Sequence, residues 1–300
     1  MANSGGRVDQ PVDDAEALRV SEAVPFGRYR LVGLLGEGGM ARVYRAVLSG
    51  PMGFEKTVAL KRISPEVTSQ DRMIKALINE ARLGGQLHHK NIVEIYEFGD
   101  VQGHFFMAME YVDGWTLEGL LKNCRDCRRW VPRSVAVEIL DHMLRGLEYA
   151  HSLADGEGRP LNLVHRDLKP GNVIVSRSGD VKLMDFGIAK ADSNLYKTTA
   201  ADVTKGTPVY MSPEQVRGKV VDRRSDIFAL GSLLHELITL QVPFQGENLV
   251  TIIHGILEEG LEEPLARIRN RFPQMESLVA GMMAKNVGER FGSTTEVLAA

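Results

Sequence analysis

Two short polar clusters in the second half of the sequence carry the side chains best suited to chemistry. They read His165-Arg166-Asp167-Leu168-Lys169-Pro170-Gly171-Asn172 and, one short strand later, Asp185-Phe186-Gly187. Phosphoryl transfer needs a base that orients a hydroxyl, cations over the phosphates and oxygen ligands for magnesium. Asp167 can act as the base and Lys169 as the phosphate cation, while Asn172 and Asp185 can hold the metal. Together the clusters predict phosphoryl transfer from a magnesium-bound nucleotide.

A glycine-rich stretch between two predicted strands is suited to binding phosphates. It reads Gly36-Glu37-Gly38-Gly39-Met40-Ala41-Arg42-Val43. Glycines let the backbone approach phosphate oxygens closely, with amides as donors. Taken alone, the stretch could also be a simple hairpin turn. A dinucleotide-binding fold is disfavoured, because its glycines lead directly into a helix, whereas a strand pattern follows here.

Lys61 closes an apolar strand and is a candidate for binding phosphate. A lysine that is partly buried at such a position needs an opposite charge nearby, and the helix that follows offers Glu80. A surface lysine on an edge strand is the alternative, and it is the simpler interpretation of Lys61 considered alone.

The elements that must position these groups divide the chain into a β-rich part and a helical part. The predicted strands before residue 112 are Tyr29–Val32, Arg42–Val47, Thr57–Lys61, Val93–Phe98 and Phe105–Tyr111, with a helix over 71–87. After Gly114 the pattern is mostly helical, with short strands around 172–175 and 181–184. A wide apolar stripe predicts a core helix through Ala136, Ile139, Leu140, Met143, Leu144, Leu147 and Ala150. The expected fold class is α+β, with a ligand cleft between the two parts.

Composition narrows the class of protein. The chain of 300 residues is 44% hydrophobic and 25% charged, with a formal net charge of -3, which fits a folded soluble protein and disfavours nucleic-acid or membrane-surface binding. No apolar run is long enough for a membrane helix, and no signal peptide is recognised.

Residues 1–24 read as a flexible tail, and a turn at Pro25–Gly27 opens the folded part. Cys124 and Cys127 could form a redox or zinc motif, but free thiols on a helix in a reducing cytoplasm are the preferred interpretation.

These motifs, in this order, resemble those of the eukaryotic-type (Hanks-type) serine/threonine protein kinases, most closely the bacterial branch. The resemblance runs from about Tyr29 to Phe291. It implies the bilobal protein kinase fold, with a β-rich N-lobe over 29–110 and a helical C-lobe over 115–300, whose final helix could continue beyond the sequence. It also implies ATP and Mg²⁺ as cofactors, with Mn²⁺ as a substitute, and proteins as substrates in signal transduction.

The resemblance assigns roles to individual residues. Lys61 would contact the α and β phosphates and pair with Glu80, while Asp167 would accept the hydroxyl proton. Lys169 would neutralise γ-phosphate charge, and Asn172 and Asp185 would hold two magnesium ions. The nucleotide would also contact Leu35, Gly36, Glu37, Gly38, Gly39, Met40, Ala41, Arg42, Val43, Met109, Glu110 and Val112.

Further downstream the resemblance implies structural and regulatory roles. Glu214 would pair with Arg290, and Asp226 would anchor the backbone of the catalytic loop. Lys169 and Thr207 are typical of serine/threonine specificity. Arg166 could bind an activation-segment phosphate, with Thr198, Thr199 and Thr204 as the acceptors. Trans-autophosphorylation would involve a homodimer, and the location would be cytoplasmic, including as the cytoplasmic part of a longer membrane protein.

Two positions depart from the family pattern. Ala41 replaces the third glycine of the loop and would be strained if that position required positive φ. Gly84 stands where a bulky apolar residue is usual, which predicts a weakened Glu80 helix. The alternatives to an active protein kinase are a pseudokinase that only binds partners and a kinase acting on small molecules. Intact Lys61, Asp167 and Asp185 disfavour the first, and a complete activation-segment end disfavours the second.

Overall fold

Strands dominate the chain before Tyr111, and helices dominate it afterwards. The structure, a computed structural model, describes residues 23–39, 41–64, 71–187 and 208–300, without the side chains of 71–73 and 76. Contacts divide the chain into two units, the first comprising Met1–Ala81 with Glu94–Tyr111 and the second Arg82–Val93 with Val112–Ala300. This is the β-rich and helical division that the sequence predicts.

The first unit contains a six-stranded antiparallel sheet with the order β1-β2-β3-β4-β6-β5. Its strands are β1 Val24–Phe26, β2 Tyr29–Glu37, β3 Ala41–Ser49, β4 Glu55–Ile63, β5 Ile95–Val101 and β6 His104–Glu110. The predicted strands are all present, although β2 continues through the first glycine of the glycine-rich stretch. The turn expected at Pro25–Gly27 is present but lies later, at Gly27 and Arg28, because Pro25 and Phe26 already pair with Arg30 and Tyr29.

Alternation along the strands builds the core of this sheet. Tyr44 and Ala46 on β3, and Val58 and Leu60 on β4, are almost completely buried at every second position. The rings of Phe26 and Tyr29 meet Phe106 edge to face, with centroids 5.6 and 5.5 Å apart. This core fixes the strands that carry the glycine-rich stretch and Lys61.

Helix α1, Asp71–Gly84, follows β4 and carries Glu80. It ends three residues before the predicted end, and the chain turns there through a bond from the Leu87 amide to the Gly84 carbonyl. Gly84 is thus the last helical residue. A glycine costs less stability at the end of a helix than in its interior, so we expect a smaller weakening than the sequence alone predicts.

The second unit is mainly helical. Its helices are α2 Leu117–Asp126, α3 Arg133–His151, α4 Pro213–Val216, α5 Arg223–Thr239, α6 Leu249–Leu257, α7 Glu262–Arg271, α8 Glu276–Met282 and α9 Thr294–Ala299. A small sheet joins β7 Gly114–Thr116, β8 Val173–Ser176 and β9 Val181–Leu183 in that order. Within the described ranges, no helix has the length and apolar character needed to cross a membrane.

Helices α3 and α5 form the centre of this unit. The predicted apolar stripe of α3 is buried at all seven positions. On α5 every side chain from Ser225 to Thr239 is buried, so this helix has no solvent-facing side over that range. Buried polar residues usually have hydrogen-bond partners, and although the Ser232 hydroxyl has none among the described residues, several partners of other polar residues on α5 belong to the candidate site.

Candidate active site

The loop between α3 and β8 holds the residues of the first polar cluster. His165 is completely buried, and its ring lies against Phe186 with centroids 4.4 Å apart. Its Nε2 lies 3.2 Å from the Met184 carbonyl, and the Asp167 amide donates to its Nδ1 at 3.3 Å. Burial lowers the pKa of His165 below its ordinary value, so the ring is neutral and serves as a structural link between the two clusters.

Asp226 on α5 holds the backbone of this loop. Its Oδ2 accepts the His165 amide at 2.8 Å, and its Oδ1 accepts the Arg166 amide at 2.9 Å. Burial alone would raise the pKa of Asp226, but the hydrogen bond with His151 Nε2 at 2.8 Å and these amides keep it below its ordinary value. The predicted anchoring role of Asp226 is confirmed.

Two residues beside the predicted catalytic groups adopt strained backbone conformations. Arg166 has a φ of 65°, and Asp185 has a φ of 54°. Non-glycine residues rarely adopt positive φ, and such strain persists only where the surrounding contacts enforce it. At Arg166 those contacts are the Asp226 carboxylate on the amide and the Gln215 side chain, which donates to the Arg166 carbonyl at 2.9 Å.

Asp167, Lys169 and Asn172 converge within the loop. Lys169 Nζ lies 3.1 Å from Asp167 Oδ2, and both side chains remain partly exposed. The Asn172 side-chain amide donates to the Asp167 carbonyl at 2.8 Å and to its Oδ2 at 3.2 Å. The Met184 amide donates to the Asn172 carbonyl at 3.0 Å, which brings the chain immediately before Asp185 to the same loop.

This orientation of Asn172 suits a magnesium ligand. Because the amide nitrogen is occupied by Asp167, the amide oxygen is the atom that remains for a cation. Clusters of three or more histidine, cysteine or acidic residues with metal-ligand geometry do not occur among the described residues. Asn172 could supply one oxygen ligand to a divalent metal ion whose other ligands include waters and the phosphates of its nucleotide.

The predicted nucleotide-binding residues of the first unit lie mainly on β2 and β3. Gly36 stands opposite Val43, and Glu37 stands opposite Arg42, whose Nε lies 2.8 Å from Glu37 Oε1. The Gly38 amide donates to the Ala41 carbonyl at 2.9 Å. Leu35 is about half exposed at 48%, Gly39 follows Gly38, and Met40 lies outside the described residues.

The backbone does not require glycine at positions 36 and 38. Gly36 and Gly38 do not have positive φ, and a Cβ added at Gly36 would have no atom of the described chain within 4 Å. Ala41 pairs with Ile63 on β4 and also lacks positive φ. The condition for strain at Ala41 is therefore not met, since its conformation is that of an ordinary strand residue.

The remaining predicted residues are distributed over both units. Lys61 stands on β4 opposite Val43 and Met107, and Met109 is buried on β6 opposite Ala59. The Glu110 amide donates to the Glu94 carbonyl at 2.8 Å. Glu80 belongs to the first unit, on α1, and Val112 is the residue at which the chain enters the second unit.

The predicted pair of Glu214 and Arg290 is confirmed. Arg290 Nη1 and Nη2 donate to the two carboxylate oxygens at 2.8 and 3.2 Å, and both residues are buried. Burial alone would raise the pKa of Glu214, but Arg290 and the Ser225 hydroxyl lower it below its ordinary value. The Arg224 carbonyl accepts a further bond from Arg290 at 2.7 Å.

Several site residues escape sequence reasoning. One is His151 at the end of α3, and another is Gln215, whose capping box with Ser212 begins α4. A third group joins three segments, because Glu236 accepts the Tyr210 hydroxyl at 2.5 Å and Arg125 Nη1 at 2.9 Å. A glutamine three residues after a serine is a capping signal that could have located α4.

The predicted phosphorylation sites lie outside the described residues. Thr198, Thr199 and Thr204 fall in the range 188–207, as does Thr207. Described structure resumes at Pro208, and the segment Pro208–Tyr210 then leads into Ser212 and α4. The Glu236 bond to Tyr210 therefore fixes the chain shortly after that range.

Comparisons with known proteins agree with this arrangement. The sequence profile of the protein kinase domain matches residues 29–300. The chain is 41% identical over 282 residues to the tyrosine-protein kinase MasK of Myxococcus xanthus, covering 94% of this chain and 43% of MasK. It is 34% identical to a probable serine/threonine-protein kinase, PknB of Bifidobacterium longum, covering 91% of this chain and 39% of PknB.

The fold also matches solved structures. The crystal structure of the Mycobacterium tuberculosis PknI kinase domain superposes with a TM-score of 0.66 at 26% identity, covering 92% of this chain and 96% of that one. The chain spans less than half the length of the two curated relatives. The chain belongs to the protein kinase domain family, and bacterial Hanks-type serine/threonine kinases are among its relatives.

Proposed function

We propose that this chain binds ATP with Mg²⁺ and transfers the γ-phosphoryl group to serine or threonine hydroxyls of proteins in a signalling pathway. The observation that carries the proposal is the convergence of Asp167, Lys169 and Asn172 in one loop that Asp226 and Gln215 hold in a strained conformation. Preorganised groups of this kind are what phosphoryl transfer requires of a protein.

The contacts of the loop residues support the roles that we propose for them. Asp167 is partly exposed, and its carboxylate accepts from Lys169 and Asn172, which would hold it in place to orient a substrate hydroxyl and accept its proton. Lys169 supplies positive charge beside the same carboxylate and would neutralise charge that develops on the transferred phosphoryl group. Asn172 and Asp185 would hold Mg²⁺, which neutralises phosphate charge when bound.

The glycine-rich stretch supports nucleotide binding. Since neither positive φ nor internal packing requires glycine at position 36, the absence of a side chain is best explained by a ligand that approaches the backbone. Lys61 lies on the neighbouring strand β4. With Glu80 as its counter-charge, it would contact the α and β phosphates. The adenine ring would use Met109, Glu110 and Val112.

Transfer of labelled phosphate from ATP to a generic basic protein tests the proposal. Asp167→Asn removes the base while keeping a side chain that can contact Lys169, and it should lower the rate by about 100-fold or more. Lys61→Ala should abolish transfer by weakening nucleotide binding. Wild-type protein that binds ATP but transfers no phosphate to protein would indicate a pseudokinase, and transfer only to metabolites would indicate a small-molecule kinase.

Serine and threonine are the proposed acceptors because Lys169 and Thr207 match that class and most of the similar kinases carry that name. Tyrosine is a second candidate, favoured by the 41% identity to a kinase named for tyrosine. Phosphoamino acid analysis of the labelled basic protein separates the two. Phosphotyrosine alone would overturn the first assignment.

Autophosphorylation of Thr198, Thr199 or Thr204 is part of the proposal. Arg166 stands beside the base and would bind the resulting phosphate. Mass spectrometry of wild-type and Asp167→Asn protein, both produced without other kinases, should show phosphate at these threonines in the wild type only. Wild-type protein mixed with differently tagged Asp167→Asn protein would then show whether transfer occurs between copies in a homodimer.

We also propose that the protein acts in the cytoplasm.

A further inference from the structure

The connection between α2 and α3 carries an unusual concentration of positive charge for a chain whose net charge is -3. Between residues 122 and 133 the sequence contains five basic side chains and one acidic one, Asp126. Lys122 is paired with Asp126, and Arg125 is paired with Glu236. The remaining basic side chains are exposed and belong to Arg128, Arg129 and Arg133.

Among the described residues, these three arginines have no partner of their own. None of their side chains forms an ion pair or a side-chain hydrogen bond with another residue that the structure describes. Arg128 sits in the left-handed region with a φ of 51°, held by bonds from its amide to the Arg125 carbonyl and from the Arg129 amide to the Cys124 carbonyl. The backbone that presents Arg128 and Arg129 is therefore fixed.

Trp130 lies between these arginines in the sequence. It is 52% exposed, but a cation–π contact holds its ring, because the Arg271 guanidinium from α7 lies 3.9 Å from the ring centroid. The Arg271 Nε is buried and has no hydrogen-bond partner in the described chain. Val135 and Val137 add exposed apolar area at the start of α3. A fixed tryptophan beside arginines has the composition of a protein-binding hot spot.

The start of α3 indicates that the fold does not require the positive charge of Arg133. This helix of 19 residues begins at Arg133, with Pro132 as a cap that supplies no side-chain bond and no acidic residue in its first turn. Helix N-termini favour acidic side chains, so Arg133 stands at the less favourable end. Arg128 and Arg129 lie near the C-terminal end of α2, where positive charge is favourable, but Arg133 has no such explanation. Local conflicts of this kind are expected at functional positions.

From these observations we infer that Arg128, Arg129, Trp130, Arg133 and Arg271, which we term the Trp130 surface, dock an acidic segment of a protein partner. Carboxylates would pair with the arginines, and an apolar residue would pack on the exposed ring of Trp130. The surface is short and the chain as a whole is negative, so an extended polyanion such as RNA or an anionic bilayer would meet repulsion beyond the patch. A short acidic peptide segment senses only the local positive field.

Tryptophan fluorescence provides a direct test, because the chain has two tryptophans and Trp115→Phe leaves Trp130 as the single reporter. The probe is a 12-residue peptide that alternates glutamate with leucine and serine, and its control has glutamine at every glutamate position. The acidic peptide should change Trp130 emission saturably, and the glutamine peptide should not. No saturable change with the acidic peptide would overturn the inference.

Charge substitutions then separate docking from general attraction. The variant with Arg128, Arg129 and Arg133 all changed to Gln should bind the acidic peptide at least about tenfold more weakly. The matched control changes Lys90, Arg145 and Lys219 to Gln, which removes the same charge from exposed positions elsewhere in the second unit. Equal weakening in both variants would overturn the inference, as would tighter binding of anionic vesicles or single-stranded RNA than of the peptide to the Trp130 reporter.

Discussion

Gln215 and Arg166 are joined by a hydrogen bond of 2.9 Å from a side-chain amide on α4 to a main-chain carbonyl in the catalytic loop. The same glutamine accepts the Ser212 amide at 3.1 Å, so one side chain both begins a helix and holds a strained residue. This contact links the end of the activation segment to the residue before Asp167.

Replacement of Gln215 by leucine tests the importance of that link. The Arg166 carbonyl would lose its partner inside the protein, at a cost of about 1–3 kcal/mol in the free energy of unfolding. We expect kcat to fall while KM for ATP stays unchanged, because the contacted residue adjoins the proposed base and not the proposed nucleotide-binding strands. Gln215→Glu is the matched control, since it keeps the bond to the Ser212 amide but cannot donate to Arg166 when ionised. Unaltered kcat in both variants would contradict this role.

The buried pair of Glu214 and Arg290 predicts a large and asymmetric effect of substitution. Arg290→Met leaves the Glu214 carboxylate buried without its main partner, and we expect a loss of about 3–5 kcal/mol in unfolding free energy. Chemical denaturation of the single variants and of Glu214→Gln with Arg290→Met provides a double-mutant cycle. The double variant should be more stable than the sum of the single effects implies, and simple additivity would contradict the pairing.

Gly36 allows a prediction that separates nucleotide binding from folding. Because a Cβ at this position meets no atom of the described chain within 4 Å, Gly36→Val should leave the midpoint of thermal unfolding nearly unchanged. KM for ATP should nevertheless rise about tenfold or more, since the side chain would occupy the space through which phosphates approach. Gly33→Val is the control, because its Cβ also meets nothing but it lies outside the glycine-rich stretch. Equal effects on KM from both variants would count against the assignment.

His235 on α5 predicts a pH dependence of stability. Its Nδ1 lies 2.9 Å from the Gln241 carbonyl, and burial lowers the pKa of His235 from 6.5 to about 4. Between these values the unfolded chain binds a proton that the folded chain does not, so stability is complete above pH 6.5 and declines as the pH falls. Between about pH 7.5 and pH 5 this single residue should remove roughly 2 kcal/mol of unfolding free energy.

Urea denaturation at both pH values measures this effect. His165 also has a lowered pKa, so the wild-type decrease contains other contributions, and the comparison with His235→Gln isolates the His235 part. The variant should lose less stability on acidification than the wild type. Parallel decreases in the two proteins would show that His235 does not titrate as described.

The sequence predicts which residues come together in the candidate site better than it predicts the contacts that hold them there. Asp167, Lys169 and Asn172 could be found because their residue types and spacing match one reaction, and the α3 stripe because its periodicity is regular. Gln215 and His151 could not be found, because their partners, Arg166 and Asp226, are distant in sequence and become neighbours only in the folded chain.

Short elements were the other source of error. The strand Val24–Phe26 has three residues, too few to show alternation, and its existence depends on pairing with Tyr29–Leu31. At Gly84, the departure from the family pattern predicted a weak point inside a helix, whereas the residue ends that helix. Both errors reflect the same physical cause, since tertiary contacts decide where an element begins and ends.

Several side chains of the buried helix α5 form hydrogen bonds that hold other parts of the structure. Asp226 accepts hydrogen bonds from the loop amides, and Ser225 donates one to Glu214. Glu236 accepts hydrogen bonds from Tyr210 and Arg125. A substitution that shifts this helix by even a fraction of an ångström would disturb all of these connections simultaneously. Variation among homologous chains should consequently be rarer along α5 than along any exposed helix, and adaptation to new substrates or regulators should arise on the outer surfaces instead.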